Sequence, residues 1–417
     1  MIANLPEPGS VAPTQTIRDH FPALERVHEG REVAYFDGPG GTQVPRTVVQ
    51  EMTEYLLQHN ANTHWCFPSS EETDQRIAGS RRAVADFLNA ESHQIVFGQN
   101  MTTLTFHLAR ALGRKFQTGD GLLVTDLDHH ANIDPWLDLA RERGLTTQFV
   151  AMILETGQLD WDDLRAKLAL GPKLLAIGGA SNALGTINDV ALATRLAHDA
   201  GALVFIDAVH YAPHRLVDVR AIGCDFLACS AYKFYGPHVG ILYGRSELLE
   251  SLDVPKLRPA PSAAPDRLET GTQNHEGIVG TGAAIDFLAS LADGPTRRLR
   301  LKATFDELHH RASALVRRLW TGLNAIDRIT TFGPPPESDR TPTVSFFIDG
   351  VGSDDVCRSL ARSGLFASHG DFYASTTIHR LGIPRPGLVR IGSACYSTIE
   401  EIERLLAAVE AIAARRK

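Results

Sequence analysis

Between residues 94 and 244 the sequence alternates short apolar runs with stretches of helical periodicity, and no other feature limits its folding so strongly. The runs are Ile95-Val96-Phe97, Leu122-Leu123-Val124 and residues 149–153, 174–177, 203–206, 226–229 and 239–243. Each is too short for a helix, and β-formers are frequent in them, so they read as buried strands. Helical patterns such as 134–143 and 189–200 lie between them. Strands that alternate with helices build βαβ crossovers and a mostly parallel sheet. About seven strands at unequal spacing do not make an eightfold repeat, so the expected α/β fold is a doubly wound, mostly parallel seven-stranded sheet and not a barrel.

A chain of 417 residues has room for a second, smaller domain. Helical periodicity over 298–324, candidate strands at 343–348 and 388–391, and an amphipathic helix over 399–414 predict a smaller C-terminal α+β domain. The expected division is an N-terminal arm over 1–30 packing on the small domain, a large domain over 31–295 and the small domain over 296–417. Within the first part we expect a short helix at 17–25, a strand running into the turn Asp37-Gly38-Pro39-Gly40-Gly41, a helix at 45–58, a polar loop at 60–70 and a helix from about Glu71. Residues 257–265, rich in Pro and Ala, read as a connector.

The net charge of −8 is spread along the chain, which argues against a nucleic-acid partner held through phosphates and for a small-molecule one. No apolar run approaches the roughly 20 residues of a membrane helix, and residues 1–14 lack the features of a signal peptide. Five scattered cysteines, Cys66, Cys224, Cys229, Cys357 and Cys395, suit free thiols in a reducing compartment, so the expected location is cytoplasmic.

Asp207 closes the run at 203–206, and Lys233 follows the run at 226–229 within Ser230-Ala231-Tyr232-Lys233-Phe234-Tyr235-Gly236-Pro237. Open α/β sheets bind ligands beyond the carboxyl ends of their strands. An acid and a lysine on that rim suit pyridoxal phosphate: the amine forms a Schiff base with the aldehyde, and the carboxylate keeps the pyridine nitrogen protonated. Met101-Thr102-Thr103 opens a helix just after a strand, where hydroxyls and N–H groups attract an anion.

Asp128-His129-His130-Ala131-Asn132, Ser181-Asn182-Ala183-Leu184-Gly185-Thr186, Asp207 to His210, Ser230 to Pro237 and Glu269-Thr270-Gly271-Thr272-Gln273-Asn274 stand in an order that resembles the class V aminotransferases, which are fold-type I enzymes dependent on pyridoxal phosphate. Within that family the likeness is to the cysteine desulfurase branch. The resemblance implies that Thr102, Thr103 and Ser230 hold the cofactor phosphate, that Tyr232 is a cofactor-binding residue in the place where desulfurases carry a histidine before the lysine, that His129 stacks on the ring and exchanges protons with substrate, and that Asn182 and His210 touch the phenolic oxygen. It implies further that Arg390 grips the substrate carboxylate, that the turn at 37–42 borders the substrate pocket, and that Thr272 reaches the site of a neighbouring subunit in a homodimer. A metal is not expected. His129 with His130, His210 with His214 and Cys224 with Cys229 are the candidate pairs; the first two are set wrongly for a shared ion, and strand alternation puts the cysteines on opposite faces.

The likeness fails at one position. Where desulfurases carry the catalytic cysteine of a mobile loop, this chain has Ser368-His369-Gly370-Asp371-Phe372-Tyr373-Ala374, with Tyr373 in the cysteine's place. A phenol cannot take sulfur as a thiolate does. The expected activity is therefore binding of an α-amino acid to the cofactor and removal of its Cα proton, ending in transamination or in β/γ-elimination or replacement. Tyr373 and Asp371 are the residues expected to steer the outcome. Alternatives are a cysteine desulfurase using another thiol, such as Cys66 on the 60–70 loop, and a catalytically silent cofactor-binding protein. A nicotinamide-dependent dehydrogenase would need a Gly-x-Gly-x-x-Gly turn before a helix, which this chain lacks.

Overall fold

The computed structural model describes residues 11–414. The start of the expected arm and the last three residues lie outside that range.

Seven strands form the large sheet: β1 (Ile95–Gly98), β2 (Gly121–Thr125), β3 (Thr146–Val150), β4 (Leu174–Gly178), β5 (Leu203–Asp207), β6 (Phe226–Ser230) and β7 (Gly240–Gly244). Their order is β1-β7-β6-β5-β4-β2-β3, and only β7 runs antiparallel to its neighbours. The two-residue period of a strand sends alternate side chains to opposite cores. Val204, Ile206, Leu227 and Cys229 enter one hydrophobic core, and Phe205, Phe226 and Ala228 the other. Both faces are thus covered, which is why these strands are apolar throughout.

The edge strand β3 differs from expectation. The apolar run at 149–153 suggested a strand there, whereas the chain pairs over Thr146–Val150 and then forms a separate small hairpin, Met152–Ile153 with Gln158–Leu159. An edge strand is half solvated, so its polar Thr-Thr-Gln start carried no apolar signal. The expected helix at 45–58 forms as Arg46–Glu54 and continues as a π-helical turn, Tyr55–His59. The next helix begins at Pro68, earlier than Glu71, because proline at a first helical position sacrifices no hydrogen bond. Cys224 precedes β6, so strand alternation does not govern it, and it shares a core with Cys229 contrary to expectation.

The small sheet consists of β8 (Ile329–Phe332), β9 (Thr343–Ile348), β10 (Ser368–Gly370) and β11 (Leu388–Gly392), in the order β8-β9-β11-β10. Ala34 and Phe36 belong to its core, and the strand Ala34–Tyr35 pairs with Leu365–Phe366. Ala34 and Phe36 therefore pack in the small core, while Tyr35 between them packs against the large one. Helix α1 (Met101–Gly113) flanks the large sheet, whereas helix α2 (Arg297–Asn324) joins the two cores: Leu301 and Phe305 enter the large one, Val316, Leu319 and Leu323 the small one. The arm touches both. Arg18 bonds Glu401 at 2.9 Å at the start of helix α3 (Ile399–Ala413), while Ala12 donates to Leu291 O at 2.8 Å. Among the described residues no helix is long and apolar enough to cross a membrane, and no group of three or more side chains is arranged to hold a metal ion.

Candidate active site

The carboxyl ends of β1, β2, β4, β5 and β6 open on one cavity of about 660 Å³. Each strand is followed by a tight turn that aims a polar residue into it. Asp207 ends β5, Ser230 ends β6, and a 3-10 turn after β6 carries Lys233. From the small domain come Ser368 on β10 and Arg390 on β11. Asp37, Pro39 and Gly40 close the side nearest Lys233, so the turn at 37–42 borders the pocket.

Lys233 is 8% exposed, and its ammonium donates to the carbonyls of Pro39 and Gly40, the latter at 3.1 Å. Burial, followed by the nearby Arg390 charge, pulls its pKa down to about 7. Its Nζ lies 4.8 Å from the centre of the Tyr232 ring, which stacks in turn on His238. Asp207 accepts a hydrogen bond from Val209 N at 2.8 Å, and burial raises its carboxyl to about 6. Asp128, which sequence reasoning left without a role, also faces the cavity. It accepts bonds from Thr125 and Asn132 at 2.7 and 3.1 Å, and burial pushes it to about 7. Gly178 is what lets it fit, since a Cβ there would stand 2.5 Å from its Oδ1.

At the other end, helix α1 points its N-terminus into the cavity, with Asn100, Met101 and Thr102 in the wall. Thr103 is not there. Its hydroxyl and amide close a capping box with Asn100, an arrangement that contributes about 1 kcal/mol to the helix. Ser230 Oγ accepts from Met101 N at 3.1 Å and so ties the helix end to β6. Gly240 permits that approach, because a Cβ on it would collide with the backbone of Asn100.

His129 and His130 lie in a turn beyond β2, and both reach the cavity. His129 Nδ1 accepts from Ala131 N at 2.9 Å, and burial with the Lys233 charge lowers its pKa to about 4, so the ring is neutral. Its face meets Tyr373, centroid to centroid 5.5 Å at 27°. His130 bonds Asp134 at 2.9 Å and Ser375 at 2.8 Å. His210 bonds Thr341 and Thr343 through Nε2, each at 3.0 Å, and its Nδ1 is buried without a partner in the cavity wall. Burial holds it neutral as well. Asn182 donates to Phe372 O at 2.9 Å, leaving its own Oδ1 unpartnered. Arg390 donates to Asn182 O at 3.1 Å, stands 3.6 Å from Asp37 Oδ1 and lies 4.2 Å from the Phe372 ring centre.

Some expected residues stay outside. Thr272 is exposed, away from this chain's own cavity, and Cys66 is exposed on its loop. No cysteine lines the cavity. Phe372 and Asp128 were missed. A signal for Asp128 existed in its place just past a strand end; Phe372 gave none, because only the fold of its loop brings it to Arg390.

A buried lysine and a buried carboxylate at the carboxyl ends of a mostly parallel sheet, facing a helix N-terminus across one cavity, define a pyridoxal-phosphate-dependent enzyme of fold type I. The orphaned His210 Nδ1 and Asn182 Oδ1 fit such a cofactor, since each lacks a polar partner in the wall. The model of the class-V aminotransferase family matches residues 34–405, and the chain belongs to that family. It is 33% identical over 409 residues to an aminotransferase-like protein of Gibberella zeae, covering 95% of this chain and 98% of that one. It is 32% identical to a cysteine desulfurase of Dickeya dadantii, covering 96% and 97%. Among solved structures, the apo cysteine desulfurase of Thermococcus onnurineus superposes with a TM-score of 0.87 at 30% identity, covering 96% of this chain and 98% of that one.

Proposed function

We propose that this enzyme binds an α-amino acid through Arg390 and removes its Cα proton with Lys233, ending in transamination. The observation that carries this reading is the cavity's inventory: one buried amine, one carboxylate-binding guanidinium and no thiol. Proton transfer to and from a carbon acid needs the first two only. Pyridoxal phosphate, when bound, supplies an aldehyde that captures amines and a ring that accepts electron density from Cα.

Every other part is assigned to the chain's own residues. The N-terminus of α1, with Thr102 and Ser230, holds the phosphate, while Thr103 acts only by capping the helix. Asp207 retains a proton on the ring nitrogen. His129 and Tyr232 pack beside the cofactor as neutral rings, and His210 and Asn182 offer it polar atoms. Lys233 is neutral in a large fraction of molecules near pH 7, so it can attack a carbonyl and then carry a proton. Arg390 binds the substrate carboxylate with two parallel N–H donors. The phenol of Tyr373 at the cavity mouth favours a second outcome, β- or γ-elimination or replacement, in which it protonates a leaving group; Asp371, whose Oδ1 accepts from Tyr373 N at 3.1 Å, sets that loop's shape.

Desulfuration by another thiol is disfavoured. Burial pushes Cys395 and Cys357 up to about 12 and Cys224 and Cys229 higher still, and Cys66 stands off the cavity. The same thiols suit a reducing compartment, and we place the protein in the cytoplasm on that ground. We also propose a dimer, for which Val49 and Leu57, exposed beside a groove of about 600 Å³ on the Arg46–Glu54 helix and the turn that continues it, supply an apolar face; Thr272, exposed outside this chain's own cavity, is the residue assigned to the neighbouring site.

The cofactor-loaded protein is tested with a panel of L-amino acids, following cofactor absorbance and assaying keto acid, ammonia and sulfide. Keto acid without sulfide is expected. Sulfide and alanine from L-cysteine would overturn the reading, and a spectrum indifferent to every amino acid would make the protein catalytically silent. A second result concerns pH. Covalent uptake of pyridoxal phosphate by the apo-protein needs the neutral Lys233 amine, whose pKa lies near 7 and not 10.5. The uptake rate should rise about tenfold per unit below pH 7 and flatten above it; a rate still climbing at pH 9 would mean that the lysine is not desolvated.

A further inference from the structure

Phe372 and Tyr373 line the cavity, where the resembling enzymes carry a mobile loop. Phe372 and Tyr373 both adopt left-handed backbone angles, with φ of 58° and 55°, which non-glycine residues take only when their surroundings hold them. Those surroundings are visible: His130 N donates to Tyr373 O at 2.7 Å, Asn182 Nδ2 to Phe372 O at 2.9 Å and Tyr373 N to Asp371 Oδ1 at 3.1 Å. The next turn is held as well. His130 bonds Ser375, and Thr377 Oγ1 donates to Asp126 O at 2.7 Å.

Both rings border the cavity. Phe372 covers one face of the Arg390 guanidinium, and Tyr373, 74% exposed, lies over His129. A carboxylate gripped by Arg390 puts the substrate side chain beneath this pair. Among the described residues the lysine and arginine side chains of the wall are Lys233 and Arg390, and both already have tasks. Asp37 and Asp134 also line the wall, whereas Asp371, expected from the sequence to bind substrate, is exposed and lies outside the lining. A second carboxylate on the substrate would meet no free cation and two like charges.

We propose that Phe372 and Tyr373 are the specificity-determining residues of the amino-acid site, forming a fixed aromatic roof that selects a large apolar side chain, aromatic above all, and rejects an acidic one. This rests on the function proposed above. The roof acts by offset ring packing and apolar burial, an advantage of about tenfold in affinity for each well-placed ring. It also accounts for the loss of the cysteine: the position that carries a reacting group on the mobile loop here carries a wall.

The test is a titration of the cofactor-loaded protein with L-phenylalanine, L-leucine, L-alanine, L-aspartate and L-lysine, reading Kd from cofactor absorbance, together with hydrogen exchange of the 371–374 amides. Wild-type protein should bind L-phenylalanine at least tenfold more tightly than L-alanine, with L-aspartate weakest, and L-phenylalanine should slow exchange at 371–374 more than L-alanine does. In a Phe372→Ala/Tyr373→Ala variant the phenylalanine-to-alanine ratio should fall about tenfold or more, while Tyr373→Phe retains it, because the ring and not the hydroxyl makes the roof. A wild-type ratio near one, a preference for L-aspartate or L-lysine, or a ratio unchanged in the double variant overturns the roof while leaving the proposed function standing. No response to any amino acid overturns both. The wild-type ratios decide the matter even if the double variant does not fold.

Discussion

Lys233→Ala should abolish turnover, lowering kcat at least on the order of 10³-fold, and should leave no cofactor attached to the chain after borohydride reduction. The expectation comes from how Lys233 is held. A lysine is rarely buried unless paired, and here its partners are two backbone carbonyls and no carboxylate. Carbonyls leave the amine uncharged at little penalty, whereas a carboxylate would hold its proton. The variant should fold, because alanine removes a buried ammonium and opens space only toward the cavity. Cofactor still covalently attached to a folded Lys233→Ala protein after borohydride reduction would sink the central assignment; so would turnover within tenfold of wild type.

Asp207→Asn should lower kcat on the order of 10² to 10³-fold, the loss expected when a preorganised charge is removed from a site that excludes water. Cofactor attachment through Lys233 should survive, which separates this variant from the first. Asparagine matches the shape of aspartate and can still accept from Val209 N, so the turn after β5 keeps its geometry. What is lost is the negative charge that retains a proton on the ring nitrogen. A cofactor methylated at that nitrogen carries the charge without a proton and should recover part of the rate in the variant. Unchanged kcat, or a failure of the methylated cofactor to act differently on variant and wild type, would mean that Asp207 only shapes the turn. In the protein without cofactor, burial raises Asp207 to about 6 and Asp128 to about 7, two acids near each other with no cation bonded to either. Asp207 would hold the protonated ring nitrogen of the cofactor, which would supply that cation.

Much of this arrangement could be read from the chain. The runs that became β4, β5 and β6 are apolar on both faces because both faces are covered, so length and composition sufficed to locate them and the rim where Asp207 and Lys233 stand. The edge strand β3 was misplaced because half of it is wet. Ala34 and Phe36 reach the small core by the pairing of Ala34–Tyr35 with Leu365–Phe366, a contact more than 300 residues away in sequence that leaves no local signal.

The site divides in the same way. Residues that act through their own position at a strand end, among them Asp207, Ser230, Lys233 and His129, were legible because the strand carries them to the rim. Thr102 and Thr103 were indistinguishable as a dipeptide, and only helix geometry, 100° per residue, turns one to the cavity and the other to the cap. The substitution of Tyr373 for a cysteine was plain in the sequence, yet its consequence was not. Local composition determined the strands, the rim and the acid–lysine pair, since burial writes itself into every residue of a strand. The tertiary structure alone decided that Phe372 covers Arg390 and that Tyr373 lies over His129, because those contacts join segments that no periodicity connects.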